Sequence, residues 1–220
     1  MLIFALLACE EAPEGPFALG FDGGEDCVEA DVASLEVPSA FTIDLWLRGD
    51  PTDVDRARPF AEWKGVFAVG EIMGGDTHFS VGDAAGATLG TPVMDGVLHH
   101  LAAGFDGTNG SLYVDGVRSA FAPGSAAVAA TTTLRIGCNA AIDSFEGLID
   151  EFRLSSIDRY GGEDYEVPSG ANEVDADTVL LFHFDEGTGE TTIDQASALE
   201  AGAYQIEWVP FTLPTAAATE

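Results

Sequence analysis

Apolar and polar residues alternate with a period of two along nearly the whole chain, and no stretch sustains the spacing of an amphipathic helix. Phe17, Leu19 and Phe21 share one face of an opening strand. Phe41, Ile43, Leu45 and Leu47 do the same in the next clear segment, with Thr42, Asp44, Trp46 and Arg48 opposite. Val66–Val69 and His78–Val81 read as shorter strands on either side of Gly74-Gly75-Asp76. Asp22-Gly23, Asp95-Gly96, Asp106-Gly107 and Asp115-Gly116 supply tight turns, because glycine accepts positive φ and aspartate bonds its own backbone. Between the last three lie Val97–Phe105 and Ser111–Val114, which predicts an antiparallel meander. Leu134–Gly137, Gly147–Leu154, Val179–Phe184 and Tyr204–Val209 complete about eleven short strands. Such a set implies an all-β fold, a two-sheet antiparallel sandwich. Residues 155–178, with Gly161-Gly162 and Pro168, predict a long crossover.

At 220 residues and 46% hydrophobic, the chain suits one large sandwich whose core needs no disulfide to fold. The predicted organisation is a signal segment over 1–9, a tether over 10–16, the sandwich over 17–211 and a tail over 212–220. Charge narrows the function further. Asp and Glu number 38 against 8 Lys plus Arg, a net charge of −30. Recognition of a phosphate backbone needs cationic contacts, of which this chain has almost none to offer, and this argues against nucleic-acid binding. Anionic membrane surfaces repel it for the same reason. A solvated acidic surface and divalent-cation binding by a few carboxylates both fit the composition.

The first nine residues form a short apolar run ending in Cys9, too short to span a bilayer. Leu6-Leu7-Ala8-Cys9 resembles a bacterial lipobox, which implies lipidation of Cys9 and an exported, membrane-anchored protein. It departs from that pattern in lacking a basic residue before the run and in carrying the bulky Leu7. A cleaved ordinary signal and a buried N-terminal strand are the alternatives. With Cys9 lipidated, Cys27 and Cys138 remain as a pair in an oxidising compartment. Strict alternation turns Cys27 outward and Cys138 inward, against a bond, but strand ends and bulges break alternation; a disulfide and two free thiols both stay open.

Several strings, in order, resemble the LamG-like jellyroll family of concanavalin A-like sandwiches. They are Phe-Asp-Gly at 21–23, Asp-Cys-Val-Glu-Ala at 26–30, Phe-Thr-Ile-Asp-Leu-Trp at 41–46 and Leu-His-His-Leu-Ala at 98–102. Leu-Tyr-Val-Asp-Gly at 112–116, Leu-Arg-Ile-Gly at 134–137, Gly-Leu-Ile-Asp-Glu-Phe-Arg-Leu-Ser at 147–155 and Phe-Asp-Glu-Gly-Thr-Gly at 184–189 follow, with Asp194 behind them. Leu98 and Cys27 stand where the family usually has aromatic residues. The resemblance spans Phe17 to Trp208 and implies the fold, while activity varies widely on it.

Asp150 alternates with Leu148, Phe152 and Leu154, which places a carboxylate on an inward row where it must be paired, hydrogen-bonded or metal-bound. The resemblance implies a structural Ca²⁺ held by Asp150, with Asp22 as a second ligand. An aspartate that accepts backbone N–H bonds and locks a turn is the alternative. Asp185, Glu186 and Asp194 around Gly187-Thr188-Gly189 read as a structural turn, and Asp106–Gly110 as a hairpin. His99 and His100 point to opposite faces and cannot chelate one ion together. Glu173-Val-Asp175-Ala-Asp177 is similar to the carboxylate motif of laminarinase-like hydrolases but sits in the crossover, which argues against catalysis.

Sugar rings stack on aromatic faces, which makes Trp46, Trp63 and Tyr160 the candidate ligand-binding residues. Trp46 is flanked by Asp44 and Arg48, while Trp63 and Tyr160 lie in loop-like contexts. Trp208 shares its face with Tyr204 and Ile206 and reads as core. The expected function is non-catalytic recognition of a glycan or protein partner at the cell envelope, with loops such as 50–58 and 155–177 carrying specificity. A structural or adhesive surface protein is the second expectation and an acidic glycoside hydrolase the third.

Overall fold

A computed structural model describes residues 15–51, 55–82, 87–89, 91–125, 129–139 and 144–215. The lipobox with Cys9 lies outside the described residues, as do parts of the 50–58 loop and of the C-terminal tail. Among the described residues the regular structure is strand only. In chain order these are β1 (Phe17–Asp22), β2 (Cys27–Asp31), β3 (Phe41–Gly49), β4 (Arg58–Trp63), β5 (Phe67–Glu71), β6 (Thr77–Val81), β7 (Ala87–Leu89) and β8 (His99–Phe105). There follow β9 (Asn109–Val114), β10 (Val117–Pro123), β11 (Thr133–Ile136), β12 (Glu146–Ser155), β13 (Thr178–Phe182), β14 (Thr191–Ile193), β15 (Glu200–Tyr204) and β16 (Glu207–Pro210).

They build two antiparallel sheets. The first runs β10-β9-β8-β3-β12-β1-β16, with β13 also paired to β12; the second runs β14-β15-β2-β11-β4-β5-β6-β7. The alternating residues of β3 behave as their pattern predicts. Phe41, Ile43, Leu45 and Leu47 enter the core between the sheets, against Phe60, Trp63, Val69 and Phe79 from the second sheet. The other face of β3 is buried as well, because the crossover between β12 and β13 lies over it. A typical sandwich leaves that face to solvent.

Asp150 does not sit on the inward row. Pairing with β3 slips between Asp150 and Arg153, and Glu151 adopts φ 54, so a bulge reverses parity within β12. Ile149 faces the core before it and Phe152 and Leu154 after it, which leaves Leu148, Asp150 and Arg153 on the covered outer face. One strand thus pairs through its first half with β1 and through its second with β13.

A further expectation changes. Tyr204–Val209 is not one strand: Gln205 takes φ 57, and the chain leaves β15 in the second sheet for β16 in the first. Tyr204 is consequently 51% exposed, while Trp208 packs on the core edge and donates to Gly189 O at 3.0 Å. Cys27 and Cys138 are joined, with Cα atoms 5.2 Å apart. Val28 opposes Ile136, and Gly137, at φ 73, turns the chain just past β11 so that Cys138 swings back toward the start of β2. A left-handed glycine beyond the strand end is what defeats the parity argument.

Candidate functional site

Three polar regions surround the core. The first is an open cleft of about 390 Å³ at the end of β1, β3, β12 and β16. The Asp22–Asp26 turn forms one wall. Asp22 Oδ1 accepts the Gly24 N–H at 2.8 Å, Asp26 Oδ2 accepts the Asp22 N–H, and Gly23 N–H donates to Phe145 O at 3.0 Å. Ser144 Oγ donates to Gly24 O from the other side of the loop at 2.7 Å. Asp26 is only 2% exposed. Burial pushes its carboxyl up to about 6; the Asp22 N–H counters this, and the Asp22 carboxyl adds to it. Arg48 and Asp50 line the cleft from the end of β3, and Glu207 lines it from β16, at the far end of the row Arg48–Leu148–Gly20–Glu207. The Arg48 guanidinium makes no hydrogen bond or ion pair among the described residues. Gly147 allows the close approach of β12 behind it, since a Cβ there would lie 2.1 Å from Arg48 O.

The second region is the β12 bulge. Asp150 is 5% exposed and borders a cleft of about 190 Å³ together with Pro16, Glu151, Gly170, Asp185 and Thr212. Its Oδ1 accepts the Glu151 N–H at 2.9 Å. Burial, reinforced by the charges of Glu151 and Asp185, pushes the Asp150 carboxyl up to about 8. Glu151 spends both oxygens elsewhere, on His183 Nδ1 at 2.6 Å and on the Asn172 N–H at 2.7 Å. Asp185 Oδ1 accepts the Phe17 N–H at 2.8 Å.

A hard cation fits this cleft in one respect: a buried carboxylate faces it with no cationic partner among the described residues. Asp150 and Asp185 would be its charged ligands, with backbone carbonyls and water completing the oxygen shell. Among the described residues no three His, Cys, Asp or Glu side chains group to hold a metal without such help. Asp22 is not available to this ion. The β1–β12 register pairs Leu19 with Ile149 but Asp22 with Glu146, which sets Asp22 and Asp150 about four residues, or roughly 13 Å, apart along the sheet.

The third region is the layer beneath the crossover. Arg153 donates through Nε to Asp44 Oδ2 at 3.1 Å and forms an ion pair through Nη2 with Oδ1 at 3.1 Å, and Asn172 Nδ2 adds a bond at 3.3 Å. Burial raises the Asp44 carboxyl, and Arg153 opposes the shift. His100 Nδ1 lies 2.7 Å from Tyr165 Oη, and burial, with Arg153 nearby, lowers this histidine to about 4. Arg159 clamps the crossover's two ends through a two-pronged bond to Asp175 at 2.8 Å.

The aromatic candidates are corrected here. Trp46 is 5% exposed and packs edge-on against His100, so it offers no surface platform. Tyr160 stacks on Tyr165 with ring centroids 3.6 Å apart and meets Tyr113 edge-on. Trp63 ends β4 rather than lying in a loop; it is 1% exposed and donates to Thr131 O at 2.8 Å. The Pro59 bulge had hidden that strand's alternation. Asp175 is held low by Arg159, and Glu173–Asp177 lies in irregular backbone, so no alternating carboxylate pair forms there. Asp194 accepts the Leu181, Ala196 and Ser197 N–H groups and locks its turn. Sequence reasoning missed the Arg48–Asp26 cleft, whose only signal was a lone arginine beside an acidic turn.

Residues 22–160 match the sequence profile of the concanavalin A-like lectin/glucanases superfamily, in its laminin G form. The chain belongs to that superfamily. No curated protein matches it. Among solved structures, this concanavalin A-like chain is similar to a protein from Bacteroides ovatus ATCC 8483 provisionally assigned to carbohydrate binding. The TM-score is 0.70 at 15% identity, covering 93% of this chain and 62% of that one. Domains LG4-5 of the mouse laminin alpha1 chain align with TM-score 0.52 and 20% identity over 70% of this chain and 45% of theirs. A heptameric pentraxin of Limulus polyphemus gives 0.52 and 8% over 86% and 96%. At these identities the likeness establishes a shared concanavalin A-like sandwich.

Proposed function

We propose that the chain is a non-catalytic, extracytoplasmic binding module that recognises a glycan, lipid-anchored through Cys9 and carrying a structural Ca²⁺ at Asp150 and Asp185. One observation carries the recognition: the open cleft holds an unpaired guanidinium opposite several carboxylates, donors and acceptors suited to sugar hydroxyls. The concanavalin A-like frame and the carbohydrate-binding assignment of the Bacteroides ovatus protein agree with this reading. The exposed aromatic platforms expected from sequence play no part in it.

A glycan array probed with the wild-type protein and with Arg48→Ala tests the proposal. The wild type is expected to retain at least one glycan, and Arg48→Ala to weaken retention about tenfold or more, the loss of a charge-assisted hydrogen bond. An array on which the wild type retains nothing, or on which Arg48→Ala binds equally well, overturns it.

A further inference from the structure

The charges in the cleft select among glycans. Four carboxyl groups, Asp22, Asp26, Asp50 and Glu207, line it against the single Arg48. Asp26 is almost fully buried next to Asp22, with no cationic partner among the described residues. Two carboxyls held together without a counter-charge are an unfavourable arrangement that an incoming cation relieves. Uronic or sulfated saccharides face the opposite field and are disfavoured. Arg48 in turn needs acceptor oxygens and repels a purely cationic ligand. Leu148, Ile206 and Val209 supply apolar strips for C–H surfaces beside these polar groups.

Resting on the glycan reading of the same cleft, we infer that it takes a saccharide bearing a free, protonated amine. The ammonium sits against Asp22 and Asp26, and ring or hydroxyl oxygens accept from Arg48. A polyamine or a lysine-rich peptide satisfies only the first half of this arrangement.

Calorimetric titration of the whole protein with the β-1,4 trimers of glucosamine, N-acetylglucosamine and glucose tests this, with trilysine as a fourth ligand. Salt at about 150 mM suppresses general attraction to an acidic surface. The glucosamine trimer is expected to bind at least about tenfold tighter than the other three. Asp26→Asn should abolish that preference, while Glu166→Gln, an exposed change on the crossover, should leave it intact. If Asp26→Asn does not fold, Asp22→Asn with Asp50→Asn takes its place, with the same expected loss.

Equal binding of all three sugars leaves glycan recognition standing and overturns the amine preference. Trilysine binding as tightly as the glucosamine trimer, or a preference that survives Asp26→Asn, also overturns it. Failure of every saccharide here, joined to an empty glycan array, sinks both readings.

Discussion

Removing the Cys27–Cys138 bond is a sharp test of how the two ends of the second sheet's middle strands are held. The cysteines lie 111 residues apart in sequence. Opening a loop of that length returns to the unfolded chain an entropy worth about 4.8 kcal/mol at 25 °C on the chain-closure estimate. Losses measured for native disulfides run from about 2 to 5 kcal/mol, because the unfolded state keeps some structure. The double variant Cys27→Ala/Cys138→Ala is therefore expected to lose about 2–4.8 kcal/mol in urea unfolding. For a chain of this size that corresponds to a fall in Tm of roughly 5–15 °C. Wild type in excess reductant should converge on the variant, and thiol titration in denaturant should show two thiols gained on reduction. Unfolding within about 0.5 kcal/mol of wild type at an unchanged m-value would refute the argument.

Three other outcomes follow from the packing. Trp63→Ala should destabilise by about 3–5 kcal/mol, through a large cavity and an unpaired Thr131 carbonyl, yet leave glycan affinity unchanged below the new Tm. His100 is lowered to about 4 in the folded protein against 6.5 free. Its contribution is therefore complete above about pH 6.5 and is lost as pH falls toward 4, by up to roughly 3 kcal/mol. Thermal unfolding of His100→Asn should show a correspondingly flatter profile over that window, and an unchanged slope would exclude His100 as its source. Calcium near 1 mM should raise the Tm of wild type and of Asp22→Asn but not that of Asp150→Asn, as differential scanning calorimetry with a chelator control would show. A response that depends on Asp22 instead would place the ion in the other cleft.

Much of the fold was legible because burial on one side imposes a period of two, and β3 or β8 cannot hide it. What escaped notice broke the period locally. The bulge at Asp150–Glu151 reversed the parity of β12, the Pro59 bulge concealed β4 and with it the burial of Trp63, and Gln205 divided one apparent strand between two sheets. Bulges place one extra residue against a partner strand, so they become visible only when that partner is known. The aromatic candidates failed for a different reason. Period-two patterning tells which face a side chain takes, but not that a later segment will cover that face, as the crossover does over Trp46. The cleft at Arg48 depended on strands far apart in sequence and left only a charge signature.

The division of β12 also bears on where this molecule can be cut. The superfamily profile ends at residue 160, yet the chain beyond it supplies strands to both sheets. Leu180, Phe182 and Phe184 fill the core beside Phe152, and Ala201 and Ala203 lie against β2. A fragment trimmed to the matched region would lose β1 as well as β13, leaving one whole edge of β12 and one edge of β2 unpaired, with apolar side chains exposed along open backbone. Such a truncation is a recipe for aggregation. An expression boundary, a graft into another protein or a search for relatives of the complete unit should therefore run from Phe17 through Pro210.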